Sequence, residues 1–167
     1  MIYRKSQKML TVFFGLAGIA VVALVITAVM QQSSNTEVVP DGPTVTVYKN
    51  PNCRCCTYWT RHLEKAGFDV DVRVDSNRRD VQIEYGITED VAACHTGVVD
   101  GYVIEGHVPA ADIRRLLEDR PDAAGLAVPG MPVGSPGMPG PNPQPFDVLL
   151  LKENGSTDVF QRYVPKQ

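Results

Sequence analysis

Three of the chain's four cysteines fall within four residues, Cys53-Arg54-Cys55-Cys56, and the fourth, Cys94, is followed at once by His95. Cysteines kept for packing act as small hydrophobes and have no reason to cluster; reactivity groups them. The triplet follows a short apolar stretch and opens a helical one. Thiols at such a junction face the unpaired N–H groups and the positive dipole end of a helix, which favour thiolate. Thiolate attacks disulfides and thiolate binds metal. The position therefore serves thiol redox chemistry, soft-metal binding, or both.

Spacing narrows this. A dithiol enzyme needs two cysteines; Cys53 and Cys56 close a Cys-x-x-Cys ring, and Cys55 is then superfluous. Neighbouring Cys55 and Cys56 make a poor bridge, because a disulfide needs Cα atoms about 4.4–6.8 Å apart with aligned Cβ vectors. Cys53, Cys55, Cys56 and Cys94 supply the four ligands of a structural zinc site in number, but adjacent cysteines rarely both reach one tetrahedral ion. Adjacent thiolates suit bridging between several ions, and thiolate and thioether are the ligands that favour Cu(I).

Only two methionines follow residue 30, Met131 and Met138, and both lie in a Pro/Gly-rich stretch rather than in a periodic segment. They are either gap-fillers beneath a loop or soft ligands at the metal site. His95 is a candidate ligand through its neighbour Cys94. His62 reads as a packing or surface residue, His107 is left open, and Tyr58 and Trp59 read as packing. The scattered Asp and Glu give no paired-carboxylate site, and no catalytic residue is assigned.

The elements that must position these residues follow from periodicity and turn chemistry. Thr44–Lys49 reads as a strand ended by Asn50-Pro51-Asn52, and a helix follows the cysteines as far as Ala66, with Gly67 as its stop. Phe68–Val74 alternates as a second strand, Arg78–Tyr85 as a short helix, and Thr88–Ala93 as one further turn. Two strands meet at the Asp100-Gly101 hairpin turn. Pro109 opens a helix carrying Ile113, Leu116 and Leu117. Seven of the thirteen prolines lie in residues 129–145, which excludes helix there. Phe146–Leu151 and Asp158–Val164 form a last hairpin around Asn154-Gly155. Strand, Cys-x-x-Cys, helix, strand, helix, hairpin, helix is the thioredoxin-like order. The predicted fold is α/β: a thioredoxin-like domain over residues 44–167, with a C-terminal loop and hairpin extension.

Ahead of that domain, Thr11–Met30 is a run of twenty uncharged residues preceded by Arg4, Lys5 and Lys8. Twenty residues suffice to span a bilayer, and the basic flank keeps residues 1–10 cytoplasmic. The run reads as a single-pass signal anchor, followed by a polar tether over 31–43. A cleaved signal peptide is the competing reading, disfavoured by the length of the run and the poor cleavage site at Ala28-Val29-Met30. Either way the domain is exported, to the periplasm. Beyond Pro43 it carries thirteen Lys and Arg against seventeen Asp and Glu, which argues against nucleic acid or an anionic membrane surface as partner. In an oxidising compartment a thiol cluster is bridged, kept reduced by a partner, or capped by metal.

Four separated segments carry a resemblance: Tyr48–Cys56, Cys94-His95-Thr96, Tyr102–Ala110, and Gly125–Pro132 continuing to Gly137-Met138. Together they resemble the CopG-like family of exported bacterial metal-binding proteins. The resemblance implies a thioredoxin-like domain, an association with copper resistance, copper bound at the Cys-x-Cys-Cys motif, and a C-terminal extension that assists. It also implies a possible role as a copper oxidoreductase. Arg54-Cys55 replaces the Gly-Pro of thioredoxins, and Cys94-His95-Thr96 lacks their proline, which argues against disulfide exchange with substrates. The expected metal set is Cys53, Cys55, Cys56, Cys94, His95, Met131 and Met138, holding Cu(I), with a multinuclear cluster among the arrangements they allow. Expected partners are copper ions, periplasmic copper-export or redox proteins, and the inner membrane. The alternatives are a thiol–disulfide oxidoreductase using Cys53 and Cys56, and a zinc-stabilised interaction module.

Overall fold

The strand Thr44–Lys49 (β1) buries Val45, Val47 and Lys49 on one face, as its alternation requires. In this computed structural model, which describes residues 42–74 and 78–165, it is the second strand from one edge of a mixed seven-stranded sheet. The other strands are β2 (Asp69–Val74), β3 (His95–Val99), β4 (Tyr102–Gly106), β5 (Gly125–Val128), β6 (Phe146–Leu151) and β7 (Thr157–Tyr163). Their order is β2-β1-β3-β4-β5-β6-β7. The β1–β2 and β4–β5 pairs are parallel and the rest antiparallel.

Among the described residues three helices cover the sheet: α1 (Arg54–Lys65), α2 (Arg78–Glu84) and α3 (Ala110–Asp119). Helix α1 buries Cys56, Trp59, Thr60 and Leu63, spaced i, i+3, i+4, i+7. Trp59 and Leu63 join Val45, Val47, Ile104 and Leu126 from the sheet, and Ile113 and Leu116 from α3, in one core. A smaller cluster of Ile87, Val91, Val103, Ala127 and Leu151 packs on the reverse face. Successive strand residues alternate between these faces: His95 looks toward α1, while Thr96 and Glu105 look toward α2.

Most predicted elements appear within a residue or two of their expected bounds. Residues 88–93 form a single turn, with Ala92 N–H donating to Thr88 O at 3.0 Å. The C-terminal part is more than a loop and hairpin, because Gly125–Val128 adds a strand that sequence reading did not assign. All four of its residues are buried, so it shows no alternation, and short apolar runs of that kind are ambiguous. Through β5 the hairpin β6–β7 extends the main sheet. The Tyr163 hydroxyl donates to Asp112 of α3 at 2.7 Å, and Arg162 donates two bonds to Asp147, each 2.7 Å. The expected membrane span and most of the tether lie outside the described residues. Among the described residues no helix is long and apolar enough to cross a membrane.

Candidate metal centre

Helix α1 starts one residue after Cys53, which is its N-cap: the Cys53 sulfur accepts from the Cys56 backbone N–H at 3.3 Å. Asparagine and aspartate normally take this role. The first turn of α1 contains no acidic residue, so sulfur is the only group there that can carry the negative charge a helix N-terminus favours. Arg54 is exposed on the same turn, and Lys49 lies buried at the end of β1, its Nζ donating to Asn50 O at 3.1 Å. Lys49 is paired with His95 across the sheet. Cations in these places also favour thiolate.

Cys94 arrives from beneath. Its sulfur is 3.6 Å from both Cys55 Sγ and Cys56 Sγ, while Cys53 Sγ is 3.4 Å from Cys55 Sγ. All four sulfurs lie within 4.8 Å of one another. Adjacent Cys55 and Cys56, expected to diverge, thus both reach Cys94, because its sulfur sits between them under the first helical turn. Four thiolates at about 2.3 Å from one ion would be spaced about 3.8 Å apart, close to these three non-bonded separations. Cys53 and Cys56 are joined as a disulfide, and Cys55 and Cys94 are free thiols. The protein therefore has two cysteines paired and two unpaired within one sulfur cluster.

Two imidazoles extend the cluster. His95 is fully buried with Nδ1 at 3.4 Å from Cys94 Sγ, and its ring lies 4.4 Å from that of Trp59. His107 is also fully buried, with Nε2 at 3.8 Å from Cys94 Sγ. Its Nδ1 faces the Pro136 carbonyl at 2.8 Å. A carbonyl only accepts, so Nδ1 is the protonated nitrogen and the Nε2 lone pair faces the thiol. Cys94, His95 and His107 form a second group of potential ligand atoms sharing Cys94 with the first. His95 Nε2 has no hydrogen-bond partner among the described residues. The other ring nitrogen, Nδ1, beside the Cys94 thiol and near a second imidazole, fits a donor set for a soft metal.

Burial, then the nearby His107, holds His95 down to about 3, and burial holds His107 below its ordinary value, so both rings are neutral and able to ligate at neutral pH. Burial, then the adjoining Cys55, pushes the Cys94 thiol up to about 12. A cation at the sulfur would displace that proton.

His107 was not assigned from sequence, yet a signal for it existed. The hairpin register pairs Thr96 with Glu105 and Val99 with Tyr102. Extending that register two residues back from the Asp100-Gly101 turn sets Cys94 opposite His107. Gly106, at φ +73°, turns the chain just before His107. His62 is structural, as expected: its Nε2 accepts from Ala110 N–H at the start of α3, at 3.1 Å.

The proline-rich loop is seated on α1. A Cβ at Gly137 (φ +86°) would come within 2.8 Å of Cys55 O and 2.9 Å of Trp59 N, so only glycine allows this approach. Met138 follows it and is half-buried; Met131 is 55% exposed. A cleft of about 610 Å³ opens between α1 and this loop, lined by Tyr58, Arg61, His62 and Lys65 and by none of the cysteines.

Residues 91–138 match the family described as "Protein of unknown function, DUF411". No curated protein matches the chain. Two solved structures do, named "Copper resistance protein copG- Form 2" and "Copper resistance protein copG- Form 1". The first is 42% identical, with a TM-score of 0.70, covering 74% of this chain and 100% of its own. The second is 42% identical, with a TM-score of 0.69, covering 74% of this chain and 98% of its own. Matching such relatives over nearly their whole length, and carrying the cysteine cluster described above, this chain belongs to the CopG family.

Proposed function

We propose that this protein is a membrane-anchored, periplasm-facing copper-binding protein of thioredoxin-like fold, which holds Cu(I) through Cys53, Cys55, Cys56 and Cys94. Residues 1–10 remain cytoplasmic, 11–30 form the anchor, 31–43 the tether, and 44–167 the metal-binding domain. The strand order β2-β1-β3-β4, with Cys-x-x-Cys running from the N-cap into the first turn of α1, supports the thioredoxin-like reading. One observation carries the metal reading: two ligand groups, four sulfurs and a Cys–His–His set, share Cys94. A shared thiolate bridges ions, which Cu(I) accepts and which a closed tetrahedral zinc site does not need. The name of the relatives supports copper as the cargo and copper resistance as the setting. In this reading His95 and His107 complete the site, and Met138 caps it; the seating of neighbouring Gly137 on the Cys55 carbonyl supports the last assignment. Closing the Cys53–Cys56 bridge from two thiols releases two protons and two electrons, enough to reduce two Cu(II) to two Cu(I), and the reverse step oxidises two Cu(I) while freeing both sulfurs to bind metal.

Full-length protein extracted in detergent under anaerobic, reducing conditions should carry more than one copper per chain and little zinc. One zinc per chain without copper would defeat the proposal. Membrane fractionation with N-terminal sequencing tests the anchor; a chain beginning after residue 30 in the soluble fraction would replace it with a cleaved signal.

A second reading, thiol–disulfide oxidoreductase, is favoured by the Cys53–Cys56 bridge. Insulin reduction separates the two. Activity matching a thioredoxin would promote the second reading; weak activity fits the first.

A further inference from the structure

Glu105 is fully buried among apolar neighbours on the α2 face of the sheet, the face opposite His95. A carboxylate there must recover its lost hydration through hydrogen bonds. Every donor it uses holds or braces the segment around Cys94. Oε1 accepts from the Ala93 backbone N–H at 2.6 Å and from Gln82 Nε2 at 2.6 Å, and Oε2 accepts from Thr96 Oγ1 at 2.6 Å. Gln82 and Thr96 are themselves 1% and 0% exposed. The Ala93 carbonyl accepts from Arg78 Nη1 at 2.6 Å. The residue before Cys94 is thus gripped at both its N–H and its C=O, and the residue two beyond is gripped by its side chain.

This grip has a chemical consequence. Cys94 Sγ is 3.6 Å from Cys55 Sγ and from Cys56 Sγ, whereas a disulfide needs about 2.05 Å. Closing that gap takes movement of Cys94 toward helix α1, and the chain on either side of Cys94 is what Glu105 holds, through the Ala93 N–H and the Thr96 side chain. Apolar residues would pack beside Val103 and Ala127 without any polar cost, so packing alone gives no reason for a carboxylate here. We propose that Glu105 is a positioning residue for the metal centre: from the reverse face of the sheet it holds Cys94 within thiolate-ligand spacing of Cys55 and Cys56 and outside disulfide reach. The affinity half of this proposal rests on the copper reading; the disulfide half stands without it.

The test compares full-length wild type, Glu105→Gln and Glu105→Ala, each checked for folding by thermal melting. Reduced, metal-free protein is oxidised with glutathione disulfide, free thiols are alkylated, and bridges are mapped by mass spectrometry. Cu(I) affinity is measured by competition with a chromophoric chelator. In Glu105→Gln the amide oxygen still accepts from Ala93 and Gln82, and its NH₂ donates to the Thr96 hydroxyl. Wild type and Glu105→Gln should both form Cys53–Cys56 and leave Cys55 and Cys94 alkylated. Glu105→Ala should draw Cys94 into a bridge with Cys55 or Cys56 and weaken Cu(I) binding by about 10–100-fold, as losses of outer partners do. A folded Glu105→Ala with the wild-type bridge map and affinity overturns the proposal. So does Glu105→Gln behaving as badly as Glu105→Ala, because charge and not geometry would then be at work. Should Glu105→Ala fail to fold, Gln82→Met removes one donor at similar volume; it should shift both readouts the same way, and an unchanged bridge map and affinity overturn the proposal equally. If wild type itself takes up no Cu(I), the copper reading fails, and the bridge map alone decides the role of Glu105.

Discussion

Cys53, Cys55 and Cys56 occupy the start of a single helix, whereas Cys94, His95 and His107 come from the open end of the β3–β4 hairpin: His95 begins β3, Cys94 directly precedes it, and His107 directly follows β4. The first group is held locally. Its N-cap bond, Cys56 N–H to Cys53 Sγ, spans three residues, and the turn before it is closed by Cys53 N–H donating to Asn50 O at 3.2 Å. The second group is held by contacts distant in sequence: Glu105 to Ala93, His107 to Pro136, and the packing of His95 on Trp59. The comparison teaches that the helix brings the sulfur, while the hairpin decides where the sulfur converges and adds nitrogen to it.

The largest effect expected on either half comes from removing a thiol. Cys55→Ser leaves the Cys53–Cys56 pair and the helix cap intact, yet should cost more Cu(I) affinity than the about 10–100-fold that an outer partner contributes. Cys94→Ser should cost at least as much, because Cys94 belongs to both ligand groups. Chelator competition on the reduced protein measures both. Full copper retention in Cys94→Ser would detach the hairpin half from the metal centre, and retention in Cys55→Ser would leave a simple dithiol.

A smaller effect concerns pH, since of the two ligand groups only the hairpin one contains histidine. His95 titrates near 6.5 when unfolded and is held down to about 3 when folded. Between those values the unfolded chain binds a proton that the folded chain refuses, so stability falls as pH falls through this window. His62 and His107, both lowered by burial, act in the same direction. Glu105, raised mainly by burial, acts in the opposite direction by keeping its proton to higher pH in the folded chain. Urea unfolding of the metal-free protein at pH 7 and pH 5, followed by the fluorescence of the single tryptophan, should give the lower stability at pH 5. His95→Gln should reduce the difference. A stability independent of pH over that interval would mean that His95 is not buried as a neutral ring.

The smallest effect concerns the loop. Met138 adjoins Gly137, which rests on the Cys55 carbonyl, while Met131 is exposed. Leucine has nearly the same volume as methionine. Met138→Leu should weaken Cu(I) binding by no more than roughly tenfold, the low end of what outer partners supply, and Met131→Leu should leave it unchanged. Equal affinities for both variants and wild type would make the loop a cover without a ligand; a greater loss from Met131→Leu would reverse the assignment.

The local half of the site was legible in the amino-acid sequence because its determinants lie within one turn: an apolar strand, Asn-Pro-Asn, and cysteines where a helix must begin. The Asp100-Gly101 hairpin and the Pro-rich loop were legible for the same reason; of Tyr58, Trp59, His62 and Leu63, which have helical spacing, Trp59 and Leu63 are indeed buried, while Tyr58 is exposed and Cys56 and Thr60 complete the buried face. Strand β5 was not, since burial on both faces removes the alternation by which a strand is recognised. His107 was recoverable only by counting back along the hairpin from its turn.

By itself, then, the sequence determined which atoms are candidates for the chemistry, four thiols and the His95 imidazole, and that three of the thiols start a helix. Tertiary structure decided the rest: that Cys94 sits between Cys55 and Cys56, that His107 turns its unprotonated nitrogen toward it, and that Glu105 steadies the segment from behind. These are matters of a few ångströms between residues 10–50 positions apart. Side-chain type and spacing encode local geometry within a turn, but such distances are set only when helix, hairpin and loop pack against one core.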